Sequence, residues 1–207
     1  MDKAFIIRNL RFIAFVFAII IWLWGFYLLD SLAGINTEQA YLLPLLPALP
    51  LLIAAIIFAR QSRRLLSGPA FFSSKRQLWM YLGLLVLTMV AVTIVNRVFR
   101  ANHLSQWQFP ASIFIIGLHF LGLIPIFKGW RYVLPATLVF CLSAVLVPIF
   151  VSQTYTLGTL SIQHGWQFAI AVICWTCILG CDIFLLIRGL QLLQVLRAEE
   201  ITYAQKA

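Results

Sequence analysis

Charged residues are scarce in this chain: they make up 10% of its 207 residues, whereas 63% of the residues are hydrophobic. A soluble domain carries charge at about a quarter of its positions, so this composition excludes an ordinary soluble protein. The apolar residues form long blocks and not the one-sided stripe of a soluble amphipathic helix. No segment between these blocks is long enough to form a separate soluble domain.

The chain also lacks the short motifs of several enzyme classes. It contains no HExxH, no GxxxxGK[ST], no GxSxG with a plausible triad and no pair of aspartates within the apolar blocks. These absences argue against intramembrane proteolysis and against ATP-driven transport by this chain alone. We therefore expect no catalytic residues, no cofactor and no bound metal, while a lipid-modifying enzyme without a familiar motif stays open.

Cysteine is also rare, and all four cysteines lie inside apolar segments: Cys141, Cys174, Cys177 and Cys181. A disulfide framework is not expected from such positions. The last three recur at i, i+3 and i+7, on one face of a helix. Soft sulfur ligands favour Cu(I), but small side chains on one face also permit close helix contacts. We interpret the three cysteines as packing residues.

Each apolar block has about the length that a helix needs to cross a bilayer core of about 30 Å. Helices are the expected spans, because barrel-type alternating strands are absent from the sequence. The sequence therefore predicts an all-α integral membrane bundle of about six transmembrane helices, a single transmembrane domain over residues 1–207. The predicted spans are 12–29, 41–59, 78–95, 110–127, 133–151 and 167–187.

The basic residues fall on alternate sides of these spans with a strong asymmetry. Cytoplasmic segments carry an excess of Lys and Arg, so the richer side predicts cytoplasmic N- and C-termini. The poorer side has only Arg97 and Arg100. The same placement accounts for the net charge of +9 without nucleic acid, so we expect the lipid bilayer as the partner. Whether the chain also forms a homo-oligomer or binds a partner membrane protein stays open. The thirteen basic residues on the richer side are Lys3, Arg8, Arg11, Arg60, Arg63, Arg64, Lys75, Arg76, Lys128, Arg131, Arg188, Arg197 and Lys206.

The first span resembles a signal peptide in one respect, because Ser31-Leu32-Ala33 follows it as a small-residue cleavage site would. Its apolar run covers residues 12–29, whereas a signal peptide usually has about 7–15 apolar residues. We therefore expect the first span to be retained as an anchor.

Two polar residues stand out within the predicted spans. Asp182 is the only Asp, Glu, Lys or Arg inside any of them, and a charge at a helix centre costs about 2.5–3.5 kcal/mol on insertion scales. It is either functional or an interfacial residue that is hydrated or paired with a nearby Arg.

His119 lies near the middle of span four, where Ser112, His119 and Gly122 share one helix face. Small and polar residues on one face normally point into a bundle, so we expect His119 to face the interior and to have a polar partner. Its side chain is either a neutral hydrogen-bonded group or a proton relay, since the unperturbed pKa is about 6.5. We therefore propose His119, Asp182 and Ser112 as an intramembrane polar site, with Asp182 the first candidate partner of His119.

Prolines crowd one half of span two: Pro44, Pro47 and Pro50. A proline inside a helix removes a backbone hydrogen bond and frees a carbonyl one turn earlier. In lipid such carbonyls need partners from protein or water. The pattern predicts a kinked or partly unwound helix, which is either a structural kink or one wall of a polar cavity, as in many transporters.

Phe109-Pro110, then Gly117-Leu118-His119-Phe120 and Pro125, form the one stretch that resembles a known pattern. It resembles a signature of small, uncharacterised multi-pass bacterial membrane proteins. The resemblance covers about 20 residues and implies a bacterial inner membrane and no particular activity.

Three functions are compatible with these features. The sequence favours a non-catalytic membrane component, such as an assembly, sensory or structural subunit. The alternative is a small transporter or proton-coupled permease that uses His119 and Asp182, and the third is a membrane-embedded lipid-modifying enzyme. A cavity that reaches His119 favours transport, whereas a dry interior around a capped imidazole favours the subunit.

Overall fold

The protein is an all-α bundle. The computed structural model describes residues 3–32, 35–65, 75–126, 134–157, 160–162 and 164–206. A short 3₁₀ turn, Ser105–Trp107, precedes α5, and two three-residue strands pair between α6 and α7. The α-helices are α1 (Lys3–Asp30), α2 (Thr37–Leu42), α3 (Leu45–Leu65), α4 (Lys75–Ala101), α5 (Gln108–Leu123), α6 (Leu134–Phe150) and α7 (Gly165–Lys206), and the strands are β1 (Tyr155–Leu157) and β2 (Leu160–Ile162).

Within the part of the chain that the structure describes, four helical segments are long and apolar enough to cross a membrane: Leu10–Asp30, Glu38–Arg63, Lys75–Ala101 and Gly165–Glu199. The shorter α6 is apolar throughout. Large hydrophobic side chains cover the outside of the bundle, for example Leu87, which is 64% exposed, and Phe150, which is 79% exposed. A surface of this kind fits a hydrocarbon environment, because water would make it an aggregation hazard.

Every predicted span overlaps with helix. Helices α1, α3, α4 and α7 extend beyond the predicted bounds, whereas α6 lies within them and α5 ends at Leu123, before the predicted end at 127. The largest difference is in α7, which has 42 residues and ends at Lys206, whereas the span was predicted to end at 187. Hydropathy marks only the part of a helix that lies in lipid. The backbone continues as a helix through polar sequence wherever no proline or glycine signal stops it.

The helices α1, α3 and α7 form the centre of the bundle. Helix α1 runs antiparallel to α7: the Gln167 amide donates to the Tyr27 carbonyl at one end, and at the other end Arg197 donates to Gln61 of α3. We call the end of the bundle near Gln167 the hairpin end, because β1 and β2 lie there. The opposite end, where α1 begins and α7 ends, is the terminal end. Helix α6 packs on α7, α5 packs on α6, and α4 packs on α5 at the edge of the bundle.

The proline-rich span is interrupted, as predicted. Helix α2 ends at Leu42 and α3 begins at Leu45, with Pro44 in the turn between them and Pro50 inside α3. Pro47 lies in the first turn of α3, where its missing N–H removes no helical hydrogen bond.

Several backbone groups at this interruption have partners within the protein. The indole N–H of Trp22 donates to the Tyr41 carbonyl at 2.9 Å, and the Leu46 N–H donates to the Leu43 carbonyl at 3.1 Å. Pro44 packs against Gly25 of α1, where a Cβ atom would lie 2.5 Å from the proline Cβ. These contacts support the structural interpretation of the prolines, because the break rests on α1 and not beside a polar cavity.

Candidate functional site: an intramembrane cleft

A large cleft lies between α1 and α4, with α5 as its floor. Its volume is about 1060 Å³, which is at the upper end for small-molecule sites. The rings of Phe12 on α1 and Tyr81 on α4 meet edge to face at 5.9 Å and lie toward the terminal end. At the hairpin end, Gln153, Thr154 and His164 line the cleft.

Aromatic contacts hold the cleft wall formed by α1 against the floor. Trp24 of α1 lies edge to face with Phe109 of α5 at 6.1 Å and with Phe140 of α6 at 5.1 Å. Nearer the terminal end, the rings of Phe17 on α1 and Phe120 on α5 meet edge to face, with their centroids 6.3 Å apart. Edge-to-face pairs add about 0.5–1.5 kcal/mol each beyond the apolar area they bury. These contacts fix α1 on α5 and α6, whereas α4 meets α1 through the Phe12–Tyr81 pair and rests mainly on α5.

His119 lines the middle of the cleft and has a polar partner on α4. Its Nδ1 lies 2.8 Å from the Thr88 hydroxyl, and that hydroxyl donates to the Leu84 carbonyl at 2.8 Å. A threonine hydroxyl has one proton to donate. Because Thr88 donates this proton to the Leu84 carbonyl, the Thr88 oxygen must accept from His119. The imidazole is therefore assigned the tautomer with its proton on Nδ1, and Nε2 of the neutral ring is an acceptor. The prediction that His119 has a polar protein partner is met by Thr88.

A second polar group lies at the hairpin end of the cleft. The Ser112 hydroxyl lies 3.1 Å from Asn96 Oδ1 and 2.7 Å from the Gln108 carbonyl, and the Gln108 amide donates to the Asn96 carbonyl at 3.2 Å. These bonds leave Asn96 Nδ2 and Gln108 Oε1 without partners within the part of the chain that the structure describes. Gln153, Thr154, His164 and Gln167 line the same end. Polar side chains with spare donors and acceptors therefore line the hairpin end of the cleft.

Asp182 is not part of this cleft. Its side chain is 0% exposed on α7, and neither carboxylate oxygen has a hydrogen-bond partner among the described residues. A buried polar contact between α1 and α3 joins the Arg11 guanidinium to the Ser62 hydroxyl at 3.1 Å. The structure brings His119 and Ser112 together in one cleft but does not form the expected hydrogen bond between His119 and Asp182. That expectation failed because α5 faces α4 and α6, and its contact with α7 is small.

The cysteines of α7 make helix contacts. Cys174 is 0% exposed, with its Sγ 3.5 Å from the Ser143 hydroxyl of α6. Among the described residues, no three His, Cys, Asp or Glu side chains are placed to hold a metal ion.

Sequence reasoning missed Thr88, Asn96 and Gln108. A signal for the first two was present, because they lie eight residues apart on one face of the apolar helix α4, just as Ser112 and His119 share one face of α5. Two apolar helices that each carry a polar stripe are expected to face each other. Comparisons of the chain with protein-family models, with curated proteins and with solved structures each gave no match.

Proposed function

We propose that this protein is a small membrane carrier that holds one amphiphilic molecule in the cleft between α1, α4 and α5. The observation that carries the proposal is the cleft itself, a space of about 1060 Å³ that reaches His119 within an apolar bundle. Its body is lined mainly by aliphatic and aromatic side chains, and most of its polar groups lie at the hairpin end, apart from Thr88 and His119 in the middle. A molecule with a polar head and an apolar tail matches this distribution.

The placement of α4 supports movement of such a molecule. No residue of the apolar part of α4 is buried, and the helix is held mainly by α5. A helix with few buried contacts belongs to the less stable part of a structure. An outward displacement of α4 would widen the cleft toward lipid without breaking the aromatic contacts that join α1 to α5.

We propose a six-span topology with both termini in the cytoplasm and a bacterial inner membrane as the location. The support is the excess of basic residues at the terminal end, where exposed Arg60, Lys75 and Arg188 lie, and the resemblance noted in the sequence. No catalytic step is assigned, because the Thr88 hydroxyl, which contacts His119, donates its proton to the Leu84 carbonyl and not to the imidazole.

The experiment compares two tryptophan substitutions on α5. Ile116 lines the cleft, whereas Leu118, two residues away, is 46% exposed on the outside and does not line it. Ile116→Trp is expected to obstruct the middle of the cleft, where His119 lies, and Leu118→Trp is its matched control. Native mass spectrometry of the purified full-length protein should find one retained lipid in the wild type and in Leu118→Trp, and none in Ile116→Trp.

Carrier activity is measured separately, as the exchange of a fluorescent lipid between the leaflets of proteoliposomes. The wild type and Leu118→Trp should accelerate exchange, and Ile116→Trp should not. Equal lipid retention in all three proteins would contradict binding in the cleft. Retention without accelerated exchange would leave a lipid-binding protein that is not a carrier.

A non-catalytic subunit is the second candidate function. The exposed apolar face of α4, which includes Leu87 at 64% and Val86 at 58%, favours it, since such a surface is also available to a partner membrane protein or a second copy of the chain. Mass measurement of the protein in nanodiscs distinguishes the two, because a carrier that works alone is expected as a single chain.

A further inference from the structure

The side chains that line the cleft are uncharged, apart from histidine. No Asp, Glu, Lys or Arg is found among the described lining residues. The sequence between α6 and α7, residues 151–164, likewise contains none of these four residue types. Charged residues at the hairpin end include Asp30, which accepts from the Gln167 amide at 3.3 Å, and Arg97 and Arg100 on α4. None of the three lines the cleft.

The absence of charge matters because charged headgroups need opposite charges. Phosphate is bound in proteins mainly by Arg, Lys and free backbone N–H groups at helix N-termini. Of the helices that begin at the hairpin end, α5 and α7 begin beside the cleft, and the first N–H of each is already paired. The Gln108 N–H donates to the Ser105 carbonyl, and the Gly165 N–H donates to the Gln153 carbonyl.

The polar groups that are present suit hydroxyls. Amide and hydroxyl side chains both donate and accept, and a ligand hydroxyl does the same, so Asn96 Nδ2 and Gln108 Oε1 can each bond to one. Beside them lie the rings of Trp166 and Tyr27, and the Trp166 indole is fixed by donating to the Val151 carbonyl at 2.7 Å. A flat aromatic face next to hydroxyl-binding groups matches a sugar or similar polyol ring, whose edges are polar and whose faces are apolar.

The rest of the cleft suits hydrocarbon. From the polar end, its floor follows α5 from Gln108 to Leu123, a rise of roughly 23 Å. Val16, Ile20 and Leu85 line its sides. This length accommodates an extended acyl or isoprenoid chain that runs toward Phe12 and Tyr81.

We propose that the cleft binds a lipid with an uncharged, hydroxyl-rich headgroup, seated between Asn96, Gln108 and Trp166, with its chain toward the Phe12–Tyr81 contact. This inference rests on the proposed function, since it names the class of amphiphile that the cleft takes.

The test measures binding of three lipids with identical acyl chains to the full-length protein in a detergent without sugar groups. The probes are a monoglucosyl diacylglycerol, diacylglycerol and phosphatidylglycerol. The glucosyl lipid should bind at least about tenfold more tightly than either of the others. Diacylglycerol has too few hydroxyls to bond to both Asn96 and Gln108, and the phosphate of phosphatidylglycerol meets no opposite charge among the described lining residues. Tighter binding of phosphatidylglycerol would overturn the proposal.

Variants separate this inference from the proposed function. Asn96→Leu should reduce glucosyl-lipid binding about tenfold and leave diacylglycerol binding unchanged, whereas Arg100→Gln should change neither. Loss of binding in Arg100→Gln would indicate an anionic headgroup and contradict the inference. If all three lipids bind equally and Ile116→Trp abolishes their binding, the cleft binds amphiphiles but the headgroup assignment is wrong. If Ile116→Trp binds every lipid as the wild type does, the proposed function itself is wrong.

Discussion

Gly117→Ala is expected to destabilise the protein through the contact between α5 and α6. A Cβ atom at position 117 would lie 2.5 Å from the Cys141 Sγ, 3.3 Å from the Cys141 backbone nitrogen and 3.4 Å from the Phe140 Cβ. The first distance is at least about 1 Å shorter than a normal contact. The two helices must therefore separate or the Cys141 side chain must rotate.

The magnitude follows from two opposing terms. Overpacking in a close-packed interior costs about 1–3 kcal/mol, and replacing a helical glycine by alanine gains about 1 kcal/mol from helix propensity. We expect a net loss of up to about 2 kcal/mol in the free energy of unfolding. Gly83→Ala on α4 is the matched control, because nothing lies within 4 Å of its Cβ position, so that variant should be as stable as the wild type or slightly more stable.

The assay is reversible unfolding in mixed micelles with increasing denaturing detergent. The double variant Gly117→Ala/Cys141→Ala removes the sulfur atom and should recover most of the loss, which a double-mutant cycle detects as coupling between the two positions. If Gly117→Ala is as stable as Gly83→Ala, or if the cycle shows no coupling, the described packing of α5 on α6 is incorrect.

Three further predictions concern topology, the cysteines and the buried carboxylate. Reporter fusions after Arg64 and at the C-terminus should report a cytoplasmic location, because the basic residues cluster at the terminal end; an external signal from either would refute the topology. Joint replacement of Cys174, Cys177 and Cys181 by Ala should leave lipid binding intact and lower the free energy of unfolding by about 1–2 kcal/mol, mostly from the buried Cys174. If the purified wild type contains stoichiometric copper and the triple variant does not, the packing interpretation is wrong. Asp182→Asn should keep or raise the stability measured by detergent unfolding, because a buried carboxylate without a hydrogen-bond partner among the described residues is costly. The effects of Asp182→Asn and His119→Gln on stability should add. Coupling between the two substitutions would indicate an interaction that the structure does not contain.

The sequence predicted the helices well because the signal for a membrane span is local. Each span is a run of apolar residues, and the interruption in span two follows from the chemistry of proline at positions 44 and 50. The interior placement of His119 was also predictable, since an imidazole that faces lipid would leave its polar atoms unsatisfied.

The cleft was not predictable in the same way, because it depends on which helices are neighbours. Short loops do not fix the order of helices around a bundle, so His119 was as free to meet Asp182 as Thr88. The structure puts α4 and not α7 beside the histidine face of α5, and this single choice changes its partner. It also separates α1 from α4, which creates the cleft that no local pattern indicates.

A structure of the full-length protein in lipid nanodiscs, determined by electron cryomicroscopy, tests the central claim most directly. The account predicts one elongated density between α1, α4 and α5, with its head beside Asn96 and Trp166 and its tail passing His119 toward Tyr81. A cleft closed by direct contact of α4 with α1 along their whole length, or filled by a helix of a partner chain, would contradict it.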